Sequence, residues 1–224
     1  MVVVAVLATS NWPTHAQSFE IFEPLGTNIG GASATHAEKV SPDGVAIIGH
    51  TSVAGVAGQV SFIWRADTGM MMVTNPLAFS GSTLVPVDIA NGGNRAVFTE
   101  YSWKVGERHR GLFWTRTNGF QSLGQLSDIP QNNQGLDNSV LPAAISADGK
   151  VIVGKARTAN TTVHIPRIGS TYQMWEAFRW TAETGMVGLG DITGDPAMDL
   201  FDSQALGVSG DGRIVLGTVR YGGP

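Results

Sequence analysis

The side chains best suited to ligand chemistry lie in two long, non-repeated stretches of the sequence, Ser102–Arg110 and Ala156–Trp175. Both stretches place aromatic rings beside arginine, a combination that suits stacking on sugars or gripping an extended acidic partner. The predicted ligand-binding residues are Trp103, Arg108, His109, Arg110, His164, Arg167, Tyr172 and Trp175. The alternative interpretation is that both stretches are solvated loops whose aromatic side chains pack back onto the scaffold.

Residues for catalysis or metal binding are harder to find. The sequence contains no HExxH, no GxSxG, no Gly-rich phosphate loop and no cysteine, and its five histidines never pair at ligand spacing. We therefore predict no catalytic residue, no metal site and no cofactor. A glycan-active hydrolase or lyase that uses two loop carboxylates stays the alternative, because such pairs are recognised only in the fold. The carboxylates to compare are Glu100, Glu107, Asp128 and Glu176.

Two alternating hairpin motifs must position these residues. The first motif reads strand, Asp-Gly turn, strand in Ala37–His50, Leu141–Lys155 and Ser203–Arg220, with a degraded copy at Val87–Glu100. The second motif follows as FIWRADTGM, LFWTRTNGF and FRWTAETGM. The glycine of each turn supplies the positive φ that tight hairpins require. Units of about 40–65 residues that hold four short antiparallel strands are typical of propeller blades.

We therefore predict an all-β fold, a propeller-like array of four-stranded antiparallel blades with almost no helix. Complete units are expected at about residues 36–76, 84–126 and 141–192. A fourth blade would combine residues 203–224 with residues 18–26, whose sequence resembles the fourth strands of the other units. The two chain ends would then clasp a ring of about four blades. The rival interpretation is a piece of a longer array.

Repeated turns and divergent loops predict different roles for the two ends of the blades. Short, similar turns join first to second and third to fourth strands, whereas the other connections are long and differ from unit to unit, so we expect binding at the long-loop end. Trp64, Trp114 and Trp180 could form a ligand cage, but their fixed repeat position beside Phe or Leu favours a place in the inter-blade core. The aspartate of the repeated turns could bind calcium, but a lone Asp-Gly turn favours turn capping.

Composition bounds the class of protein. The 224 residues suffice for one large all-β domain, which we expect over residues 17–224. A net charge of −4 without basic runs argues against nucleic acid as a partner. Residues 1–16 combine a short apolar run with a Thr-His-Ala sequence typical of signal-peptide cleavage, and a buried first strand is the alternative. No run approaches the roughly 20 apolar residues of a membrane-spanning helix.

The combination SxDG–xVxVG followed by AFRWTxxTGMxxLG resembles the HAF-type repeats of bacterial extracellular and autotransporter-like proteins. The resemblance covers most of Ala37–Thr218, is strongest for Glu176–Gly190 with Gln204–Gly217, and is weak in the second unit. It implies a secreted or surface-exposed β-propeller-like repeat protein and supplies no catalytic residues. The leading hypothesis is a non-enzymatic binding or adhesion module for a glycan or protein. The alternatives are the hydrolase or lyase, and a structural segment that self-associates through open blade edges.

Overall fold

Antiparallel strands make up nearly all of the described part of the chain. The computed structural model describes residues 32–53, 55, 59–75, 81–102, 109–126, 138–165, 170–190 and 201–221. These residues hold fourteen strands and one 3₁₀ turn, Asn91–Gly93. The strands are β1 (Ala32–Val40), β2 (Ala46–Val53), β3 (Gln59–Arg65), β4 (Gly69–Val73), β5 (Thr83–Ile89), β6 (Arg95–Tyr101), β7 (Arg110–Thr115), β8 (Gly119–Ser122), β9 (Val140–Ile145), β10 (Ile152–Ile165), β11 (Ser170–Thr181), β12 (Gly185–Gly188), β13 (Phe201–Val208) and β14 (Val215–Tyr221).

The strands form four sheets that follow one another in chain order. Strands β1–β4, β5–β8 and β9–β12 each form a four-stranded antiparallel meander, and β13–β14 form a two-stranded hairpin. We call these sheets blades one to four. Their first strands lie against one another in sequence, β1 with β5, β5 with β9 and β9 with β13. The predicted all-β array of antiparallel blades is confirmed.

The first hairpins of blades one, three and four are closed by the same side-chain hydrogen bonds. In blade three, the Ser146 hydroxyl accepts the N–H of Val151 (3.0 Å) and donates to Asp148 Oδ1 (2.6 Å). Gly149 adopts a φ of +70° in the same turn, a conformation that side chains rarely allow. Blades one and four repeat the serine and aspartate contacts. The prediction that these aspartates cap turns is confirmed.

Apolar side chains from facing blades fill the space between them. Phe98 and Trp114 belong to the core between blades one and two, and Phe178 and Trp180 to the core between blades two and three. A smaller core joins blades three and four. Trp114 and Trp180 are 7% and 3% exposed, which confirms their predicted place in the inter-blade core. Trp64 of blade one is half-buried.

Blade two departs from the repeat at the position where the second strand of blades one and three carries a glycine. In blade three, Gly154 on the second strand pairs with Phe178 on the third, and blade one has the same pair of residue types. A Cβ at Gly154 would collide with the backbone of β9. In blade two, Phe98 on the second strand pairs with Leu112 on the third. Phe98 and Phe178 are both fully buried, so the core stays filled although the sequence pattern changes.

The predicted loop Ala156–Trp175 is wrong for most of its length. Strand β10 continues to Ile165 and β11 begins at Ser170, with one register irregularity after Arg157. The stretch holds four Thr, two Ile and one Val, and these β-branched residues favour extended backbone, which explains why the hairpin continues. The predicted signal segment, the strand at residues 18–26 and the clasp that would use it lie outside the described residues.

Candidate functional site

The predicted ligand-binding residues do not form one site. Three of them lie outside the described residues: Trp103, Arg108 and Arg167. Two lie on the extended β10–β11 hairpin: His164 and Tyr172. The structure describes the side chains of the remaining three: His109, Arg110 and Trp175. These three fall into two clusters, one at the long-loop end of blade two and one at that of blade three.

The first cluster surrounds Glu100, a fully buried carboxylate near the end of β6. Its Oε2 accepts the Nε–H of Arg110 at 2.7 Å, and its Oε1 accepts the hydroxyl of Ser82 at 2.6 Å. An unpaired buried carboxylate would be costly, so Arg110 is needed as its counter-ion. Arg110 therefore stabilises the join between β6 and β7.

His109 and Trp175 occupy equivalent positions in blades two and three. The backbone N–H of His109 donates to the Ser139 hydroxyl (3.2 Å), and the backbone N–H of Trp175 donates to Asp202 Oδ1 (2.8 Å). In each case the acceptor lies at the start of the next blade. The ring of His109 packs 4.7 Å from the ring of Tyr101, between centroids. The backbone frame is therefore shared by the two blades, while the side chains on it differ.

The second cluster is cationic and aromatic. The Trp175 ring centroid lies 4.9 Å from Lys155 Nζ and 4.1 Å from the guanidinium carbon of Arg157. The cluster borders a cavity of about 240 Å³ between blades three and four. The cavity is lined by Lys155, Trp175, Asp202, Ser203, Gln204, Thr218 and Arg220. Two cations over one indole ring, with Arg220 in the lining of the adjacent cavity, suit a ligand that carries negative charge.

Sequence reasoning found Trp175 but missed Lys155, Arg157 and Arg220. Lys155 ends a scaffold motif, and Arg157 fell in a stretch predicted as loop. The signal that would have found them is the period of two: residues 155 and 157 share one face of a strand, and Arg157 pairs directly with Trp175.

A larger cavity of about 500 Å³ lies at the opposite, short-turn end, between blades two and three. Its charged lining residues are Arg95, Asp148, Lys150, Arg179, Glu183 and Asp211. Part of this charge is already engaged, because Arg95 donates to the Asp148 carbonyl (2.9 Å) and Lys150 Nζ lies 3.7 Å from Asp148 Oδ2. The prediction of binding at the long-loop end did not anticipate this cavity.

Two environments shift carboxyl pKa values in opposite directions. The Ser146 hydroxyl, with smaller contributions from Lys150, holds the pKa of Asp148 below its ordinary value of 3.8. Burial raises the pKa of Asp88, although this carboxylate accepts the N–H of Ile145 at 2.9 Å. Among the residues that the structure describes, no three His, Asp or Glu side chains gather to hold a metal ion.

The carboxylates considered for catalysis serve the scaffold where the structure describes them. Glu100 is bound by Arg110 and Ser82. Glu176 Oε1 accepts the N–H of Gly190 at 3.1 Å. Glu107 and Asp128 lie outside the described residues.

Successive antiparallel sheets, packed through apolar faces with their first strands adjacent, define a β-propeller-like repeat protein. The chain is similar to a prolyl endopeptidase, with a TM-score of 0.55 and 11% identity over 84% of this chain. It spans 26% of that chain, so the likeness concerns the fold alone. A putative TolB from Agrobacterium tumefaciens matches with a TM-score of 0.44 and 13% identity, over 79% of this chain and 55% of that one. No protein-family model and no curated protein matches. None of the helical residues described forms a segment long and apolar enough to cross a membrane.

Proposed function

We propose that this chain is a non-enzymatic binding module of a secreted or surface-exposed HAF-type repeat protein, and that it binds an acidic glycan at the long-loop end. The observation that carries the proposal is the position of Lys155 and Arg157 over the Trp175 ring, beside a cavity between blades three and four. The site lies at the end of the blades where the loops differ most, as binding sites on repeat scaffolds do.

The chemistry of the cluster favours an anionic, hydroxyl-rich ligand. A guanidinium presents a planar set of donors that matches a carboxylate or sulfate group. Asp202 and Gln204 add acceptors at the cavity wall, which suit sugar hydroxyls. The cavity of about 240 Å³ is smaller than the roughly 300–1,000 Å³ of typical small-molecule sites. Its size therefore suits one residue of a longer chain that runs along the surface.

Binding without catalysis is favoured by the state of the nearby carboxylates. Asp202 Oδ1 already accepts the N–H of Trp175 at 2.8 Å, and Glu176 accepts the N–H of Gly190. Both are occupied in holding backbone groups. General acid–base work needs a carboxylate free to take up or release a proton at the substrate.

The direct test is retention of the 224-residue chain on immobilised polygalacturonate, with neutral dextran as the comparison. We expect retention on the acidic polymer, weakened by added salt because exposed charges are screened. The double variant Lys155→Ala/Arg157→Ala, and separately Trp175→Ala, should weaken binding by about tenfold or more, since each removes a charged or stacking contact.

A matched control removes two arginines that are exposed elsewhere, in the variant Arg116→Ala/Arg213→Ala. It lowers the net charge by the same amount and should keep at least half of the retention. If both double variants lost retention equally, the interaction would be general charge attraction, and the proposed binding site would be wrong. If mass measurement showed shortened polymer in the eluate, the chain would be a hydrolase or lyase and the proposal of a binding module would be wrong.

A further inference from the structure

The outward apolar face of blade four is exposed where the same face of the other blades is covered. In blades one, three and four, the first hairpin contains a turn serine: Ser41, Ser146 or Ser209. The residues five and seven positions after this serine point towards the following blade. In blade three these are Val151 and Val153, which are 5% and 0% exposed. In blade four they are Ile214 and Leu216, which are 70% and 68% exposed. Large apolar side chains at this exposure mark an unfilled interface.

Blade one carries exposed residues at the complementary positions. The last residue of its first strand, Val40, is 60% exposed, whereas its equivalents Ile89 and Ile145 are 0% and 4% exposed. Trp64 is half-buried, whereas its equivalent Trp114 is 7% exposed. Blade one therefore presents the backward-facing half of an inter-blade core.

The junctions within the chain show how these two faces fit. Ile48, at the position of Leu216, lies in one core with Ile89, at the position of Val40. The junction between blades three and four brings the same two positions together. The surface that fits Leu216 is therefore a blade face that carries the residue equivalent to Val40.

We propose that the blade-four face, formed by Ile214 and Leu216, binds the blade-one face of a second copy of this chain, formed by Val40 and Trp64. Val40, Ile214 and Leu216 are exposed in the part of the chain that the structure describes, and a second copy would supply the face that each lacks. Two different faces meet in this contact, so each dimer keeps one free face of each kind and the assembly can grow head to tail. The driving force is burial of apolar surface, as at the junctions between blades.

Engineered disulfides test the contact directly, because the chain has no cysteine. A mixture of the separate variants Leu216→Cys and Val40→Cys should give a cross-linked dimer under mild oxidation. The exposed turn variant Thr117→Cys, mixed with Leu216→Cys, is the control and should give at least about fivefold less, since only the proposed contact places the two cysteines in one core. The double variant Leu216→Cys/Val40→Cys should give a ladder of oligomers. A cross-link within single chains would instead mean that the array closes on itself and would overturn the proposal.

Sedimentation of the unmodified chain gives an independent readout. We expect its mean mass to rise with concentration, and Leu216→Lys to weaken the association by at least about tenfold, because a charge replaces a side chain that must be buried. Leu216 is exposed in the single chain, so the variant should fold, which its thermal melt verifies. Thr117→Lys is the control at a site outside both faces. A monomer at every concentration would overturn the proposal.

Discussion

The two ends of the same blades differ in what they repeat. At the short-turn end, the serine and aspartate cap recurs, and neighbouring turns bond to one another, as in the Ala147 N–H that donates to the Gly210 carbonyl at 3.0 Å. At the long-loop end, the backbone contact to the next blade recurs, but the side chains do not. A Tyr and His pair occupies the position in blade two that Arg157 and Trp175 occupy in blade three.

This difference shows that sequence divergence alone does not identify a binding residue. Arg110 and Trp175 are both non-repeated and both aligned with the long loops, yet Arg110 neutralises a buried carboxylate whereas Trp175 borders a cavity. What separates them is the partner of each side chain. Predictions that separate stability from binding are therefore the sharpest tests of the comparison.

The largest expected effect concerns Arg110, which links the long-loop end to the scaffold. Arg110→Ala leaves Glu100 buried without its counter-ion and should lower the free energy of unfolding by about 3–5 kcal/mol. Urea denaturation measures this loss. Glu100→Gln should cost less because it removes the buried charge itself, and the exposed Arg116→Ala should stay within about 0.5 kcal/mol. A small loss of unfolding free energy for Arg110→Ala would mean that this residue is not needed for the fold and is again a candidate for ligand binding.

The next effect concerns the serine cap at the short-turn end. Ser146 is fully buried, and its hydroxyl accepts the N–H of Val151. Ser146→Ala should therefore lower the free energy of unfolding by about 1–3 kcal/mol, because a buried donor loses its partner. Ser209→Ala removes the same bond in blade four, where the Ile214 N–H is exposed and water can replace the hydroxyl. Equal losses in urea denaturation would show that burial does not set the value of the cap.

The repeat end was more predictable than the long-loop end, for physical reasons. Asp-Gly turns and alternating apolar residues encode local backbone geometry, so the hairpins and the burial of Trp114 and Trp180 followed from short stretches of sequence. The extension of β10 and β11 was not predicted, although Pro166 and Gly169 are turn-forming residues between two stretches of β-branched and aromatic residues. The pairing of Glu100 with Arg110 joins two strands through side chains, and a sequence read without register cannot show it.

A smaller effect measures the coupling inside the Trp175 cluster. Lys155→Ala should lower the free energy of unfolding by only about 0.5–1 kcal/mol, the range of a partly exposed cation–π contact. In a double-mutant cycle, the loss should vanish when Trp175 is already alanine, because the ring is the partner that is removed. A loss that persists without the ring would assign Lys155 to its contact with Gln204 instead.

The smallest expected effect tests whether the charge of the turn aspartates Asp43, Asp148 and Asp211 contributes to stability. Hydroxyls of the turn serines are the leading cause that lowers the pKa of Asp148 and Asp211. For Asp43, burial is the largest single effect and raises the pKa, but the Ser41 hydroxyl and the backbone N–H groups of Val45 and Gly92 together outweigh it, so the pKa is lowered. A lowered folded pKa gives stability that is present above the ordinary value of 3.8 and is lost as the pH falls below it. The triple Asp→Asn variant should therefore lose less stability than the parent chain when urea denaturation is repeated at pH values descending from 3.8. The folded pKa of Asp88 is raised, so this carboxyl changes the pH dependence of stability only above pH 3.8. It therefore does not affect the comparison below that pH. Equal acid slopes would mean that the turns recur for the glycine conformation and not for the carboxylate.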